Sequence, residues 1–108
     1  MYWEKCSVTG YDNIDFLIAS QIKPWRDSTP DEALDMTKRL LLSPNLDRVF
    51  DRGFISFKSS GHIILSRILT EQDIHHLSLS KNMKIFDWLP QHESFMSYHR
   101  SEIFMDDT

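Results

Sequence analysis

Cysteine is almost missing from this chain of 108 residues. Cys6 is the single thiol, which forbids an internal disulfide and suits a reducing compartment. With 3 glycines and 4 prolines, the chain holds no repeat, low-complexity tract or internal linker. No apolar run approaches the roughly 20 residues of a membrane span, so no membrane partner is expected. Residues Met1–Cys6 lack a charged segment followed by an apolar one. A secretory signal is therefore not expected, and a cytoplasmic protein is. A basic surplus is lacking too: the net charge is −4 and the pI about 5.6. That balance is awkward for a nucleic-acid binder, which usually carries a basic footprint.

What is present suits one small domain over residues 1–108, since 41% hydrophobic and 12% aromatic content is ample for a single core. The acidity is uneven. Residues 1–60 carry 8 Lys/Arg and 9 Asp/Glu, whereas residues 61–108 carry 4 and 7. Local basic clusters remain: Lys23 with Arg26, Lys38 with Arg39, and Arg48 with Arg52. They are either ordinary solvated surface or a phosphate-facing patch inside an acidic protein.

The local patterns predict a mixed α+β fold. Cys6–Gly10 reads as a turn, Asp15–Ile22 as a strand broken by Pro24, and Arg39–Leu42 as a second strand. Thr29 with Pro30 predicts a short helix to about Met36. Ser43 with Pro44 starts a clearer one, with Leu46, Val49 and Phe50 as its buried stripe and Gly53 as its stop. Phe54–Lys58 and His62–Ser66 flank the turn signal Ser59-Ser60-Gly61 and predict a hairpin. Thr70 and Asp73 form an approximate capping box for a helix to about Leu77. Lys84–Trp88 suggests another strand. Pro90 opens a last helix on which Phe95, Met96, His99 and Ile103 share a face, and the tail Met105–Thr108 is expected to fray.

Five segments in order carry a family resemblance: Cys6–Gly10, Ile18–Ser28, Leu40–Asp47, Phe50–Phe57 and Tyr98–Phe104. Together they resemble the HNH endonucleases, in particular the bacterial group often found at the end of restriction and defence proteins. The resemblance implies a ββα-metal core over about residues 6–60, extended by a β-hairpin and C-terminal helices over about 61–104. It also implies phosphodiester cleavage around one divalent ion. The metal polarises the phosphate and stabilises the leaving oxygen, and a histidine takes a proton from water.

Carried onto this chain, the family's base position falls on Gln21 and its asparagine position on Lys38. Ser20 stands at a position that ligates metal in some relatives. The helix ligand position is Asp47, and Asp51 lies one turn further on the same face, so the two could share Mg2+ or Mn2+. The positions that bind structural zinc in many relatives are Cys6, Thr9, Ser43 and Leu46, so structural zinc is not expected.

A glutamine is no useful base near neutral pH, and Lys38 adds positive charge where a cation would sit. Two departures together favour natural degeneration. The first reading is therefore a pseudo-nuclease that binds a partner, either nucleic acid or a nucleic-acid-binding protein. The nucleic-acid contacts would come from Lys23, Arg26, Lys38, Arg39 and Arg48. A small acidic inhibitor in the contest between phage and host defence fits the protein-partner version. The second reading is an active metal-dependent DNA endonuclease with an altered base such as His99, or a domain of a larger restriction enzyme. Of the other histidines, His62, His75 and His76 read as surface, and His92 lies near a helix start. His99 on its apolar face reads as a core histidine with satisfied hydrogen bonds. Trp25 reads as a hydrophobic plug beside the site, and Cys6 as a small buried apolar residue.

Overall fold

The computed structural model describes residues 5–106, and in it the first strand begins later than the apolar pattern suggests. The Asn13 side chain accepts the Asp15 amide and winds Ile14–Phe16 into a 3-10 turn, so β1 covers only Ile18–Gln21. β1 pairs antiparallel with β2 (Arg39–Leu42), in the register Ile18 to Leu42 and Gln21 to Arg39. The Ile22 amide extends the ladder to the Lys38 carbonyl. Leu40, Leu41 and Leu42 are all buried, so β2 is covered on both faces.

Between these strands lies α1 (Pro30–Leu34), opened by a complete capping box between Thr29 and Glu32. It stops short of Met36 because the Asp35 carboxylate takes both the amide and the hydroxyl of Thr37. Directly after β2 comes α2 (Pro44–Asp51), packed on β1, with Leu46, Val49 and Phe50 buried as their spacing predicts. The Ser43 hydroxyl makes no cap bond and turns to Asn45, whose amide reaches the Leu77 carbonyl. Gly53 ends the helix at φ +81°, with the Phe54 amide returning to the Val49 carbonyl.

The second hairpin pairs β3 (Ile55–Phe57) with β4 (Ile63–Leu65). The strand expected over Lys84–Trp88 is reduced to a single bridge between His62 and Lys84. The chain leaves that edge because the Phe86 amide turns to the Ser7 carbonyl instead. Helix α3 (Glu71–His76) carries the Thr70–Asp73 capping box in full. Helix α4 (His92–Tyr98) widens into a π turn over His99–Ile103. Met105 and Asp106 are tied down rather than frayed: the Met105 amide bonds the Gly53 carbonyl, and Asp106 accepts from Arg67. Asp107 and Thr108 lie outside the described residues, as does the segment Met1–Glu4. One α+β core runs through both hairpins, from Cys6 through Leu40, Phe50 and Phe57 to Met96.

Candidate functional site

The end of β1 opens onto a cavity of about 320 Å³ lined by Gln21, Ile22, Pro24, Arg26, Asp51, His99 and Ile103. Three sequence elements far apart in the chain meet there: the end of the first hairpin, the end of α2, and the π turn after α4. The Gln21 Oε1 atom is buried and has no hydrogen-bond partner. A buried acceptor left unpaired costs roughly 1–3 kcal/mol. Three other buried side-chain atoms, on Lys38, Asp87 and Glu93, are likewise unpaired.

His99 is held at both ring nitrogens. Its Nε2 lies 2.9 Å from the Phe50 carbonyl, which accepts only, so the proton sits on Nε2. Nδ1 then accepts from the Ser56 hydroxyl at 2.8 Å. The ring stacks on Phe50 with centroids 3.9 Å apart. Burial lowers its pKa to about 4, although the Phe50 carbonyl and Asp51 act in the opposite direction. Both nitrogens are engaged within the protein, as the core-histidine reading expects.

Lys38, placed by sequence at a phosphate-facing surface, is fully buried instead. Its ammonium lies 4.6 Å from the centre of the Trp25 ring and has no hydrogen-bond partner. Trp25, read in sequence as a packed plug beside the site, is 60% exposed, and its indole covers the lysine. Burial and then the neighbouring Arg39 push the Lys38 pKa down, against Glu32. A cation–π contact recovers part of the desolvation but not all of it. Lys38→Met is therefore expected to raise stability by about 1 kcal/mol, measured as a higher urea midpoint at unchanged slope. A lower midpoint would mean that the buried ammonium contributes net stability.

The remaining cationic candidates have different surroundings. Lys23 grips both oxygens of Glu32, at 2.9 and 3.1 Å, and lies over the Tyr98 ring. Arg39 donates to the Ala33 carbonyl. Arg26 is exposed at the cavity, with Asp27 at 3.8 Å. Arg48 is exposed but lines a different cavity.

Asp51 borders the cavity and Asp47, half-buried one turn earlier, does not line it. Among the described residues, no three His, Cys, Asp or Glu side chains gather where they would hold a metal. Of oxygen-bearing side chains, the cavity lining offers the Asp51 carboxylate and the Gln21 amide, beside the Arg26 guanidinium.

Cys6 is buried, with the Thr9 amide 3.4 Å from its sulfur. Burial alone would raise its pKa, but hydrogen bonds from Thr9, Val8 and Ser43 hold the thiol below the usual range. The turn at residues 6–9 thus sits against the start of α2, while Leu46 is sealed in the core.

His62, His75 and His76 are exposed, as their positions predict. His92 is not foreseen: it is fully buried, and its Nδ1 accepts the Leu89 amide at 2.8 Å. The signal available in sequence is only its place three residues after Leu89, at a helix start. Compared with known proteins, the chain matches no protein family and no curated protein.

Proposed function

We propose that this chain is an HNH-like domain whose cleavage centre is degenerate, and that it acts by binding nucleic acid or a nucleic-acid-binding protein. The observation that carries this reading is the chemistry around the cavity at the end of β1. Gln21 stands there with a buried, unpaired amide oxygen, and the nearby His99 has both nitrogens engaged. Neither side chain offers a free lone pair suited to deprotonating water near neutral pH. The order hairpin, then α2 packed on β1, supports a ββα-metal ancestry, as does the contact of the Cys6 turn with the start of α2. The exposed Arg26 on the cavity wall supports a phosphate contact without cleavage.

The test is plasmid cleavage in Mn2+ by wild type, by the Gln21→His/Lys38→Asn double variant, and by Asp47→Ala and Asp51→Ala. Wild type is expected to leave the plasmid intact. The double variant is expected to cut at least roughly 100-fold faster, the contribution of a placed general base. Cutting by wild type that either aspartate variant abolishes would make the chain an active Mg2+- or Mn2+-dependent endonuclease and end the pseudo-nuclease reading. A folded double variant as inert as wild type would show that Gln21 and Lys38 are not what disabled the site.

A further inference from the structure

A second cavity, of about 470 Å³, lies between α2 and α3, on a different face of α2 from the first. Val49, Leu69 and Leu77 form its apolar walls, and Ile68 at its edge is 45% exposed. Arg48 and Arg52 stand on its rim, one helical turn apart and both exposed. Neither has an ion pair among the described residues, although the chain carries a net charge of −4. Asp73, the carboxylate that lines the groove, is engaged by the Thr70 amide.

We propose that this groove docks a protein segment: an amphipathic helix whose apolar residues enter the cleft and whose Asp or Glu side chains meet Arg48 and Arg52. Two features select this occupant. The walls are hydrocarbon, so they reward apolar side chains leaving water at roughly 25 cal/mol per Å². A phosphodiester backbone by itself has no apolar group to put there. The rim then supplies two guanidiniums at the spacing of carboxylates one helical turn apart, where paired N–H donors meet paired oxygens. Overall negative charge repels a long polyanion but leaves a short acidic helix free to seat on a local positive rim.

The experiment uses a displayed library of random helix-length peptides selected on the full chain, with the folded Arg48→Glu/Arg52→Glu variant as depletion bait. Enriched peptides are expected to carry apolar residues at helical spacing beside paired Asp or Glu. A fluorescent synthetic copy is expected to bind wild type roughly tenfold or more tighter than the double variant. Changing its acidic residues to lysine is expected to reverse that preference. Ile68→Asp, at an exposed position that leaves the core intact, is expected to weaken binding as well. Selected peptides without acidic enrichment, no enrichment over the depletion bait, or indifference to the charge swap each overturn the proposal. So does a short single-stranded oligonucleotide that binds at least as tightly and depends on the same two arginines.

Discussion

Gly53→Ala is expected to cost about 3 kcal/mol or more, lowering the melting temperature by roughly 10 °C or beyond. Two penalties add. Gly53 has φ +81°, where a side-chain-bearing residue loses about 1–2 kcal/mol. A Cβ built there would also stand 2.2 Å from the Ile103 carbonyl oxygen and 3.1 Å from its carbon. That neighbour is backbone, pinned by the Met105 amide bonded to the Gly53 carbonyl at 2.7 Å. The end of α2 and the π turn would have to separate. Gly10 supplies the control: φ is +76°, yet a Cβ added there would meet nothing within 4 Å. Gly10→Ala is expected to cost only about 1 kcal/mol. Thermal or urea unfolding of the two variants measures the difference, and equal losses would mean the close approach is relieved at no cost.

Acid is expected to remove roughly 2–3 kcal/mol through His99 alone between pH 7 and pH 4.5. Burial lowers the folded-state pKa to about 4 from an ordinary 6.5. Across that interval the unfolded chain binds a proton that the folded protein refuses. The stabilisation is therefore whole above about pH 6.5 and is lost as the pH falls towards 4. His92 is also depressed by burial and adds loss in the same direction. Asp35 is held below the usual carboxylate range by Thr37, so its contribution is lost at lower pH. Protonating His99 would set a donor on Nδ1, where Ser56 now donates, and would charge a ring stacked on Phe50. The check is urea unfolding at both pH values for wild type and His99→Gln. The variant is expected to start less stable and to lose less on acidification; matching losses would remove His99 as the acid-sensitive group.

Much of the fold was legible because its signals are local. Thr29 with Glu32, and Thr70 with Asp73, are capping pairs that need no partner beyond their own turn. The stripe Leu46, Val49, Phe50 and the stop at Gly53 set α2, and Ser59-Ser60-Gly61 set the second hairpin. Failures came where a distant or competing group decides. Asp15–Leu17 has an apolar pattern fit for a strand, but Asn13 captures the Asp15 amide first. Lys84–Trp88 alternates like a strand, but Ser7 takes the Phe86 amide.

The candidate site divides the same way. Gln21 at the end of β1 and Asp51 at the end of α2 were singled out through the family resemblance, and the fold brings both to one cavity. The burial of Lys38 was not legible, because it depends on Trp25 folding over the lysine from another segment. Charge adjacency in sequence likewise said nothing about whether Lys23 would be claimed by Glu32.

Helix α2 contributes a wall to both cavities, Asp51 to the first and Arg48, Val49 and Arg52 to the second. Any occupant that tilts it from one side changes the shape of the other side by the same rotation. Thermodynamic linkage then makes the effect mutual: whatever one occupant adds to or takes from the other's binding free energy, it receives in equal measure. Both faces therefore answer to the seating of α2, whose end at Gly53 is packed against the carbonyl of Ile103.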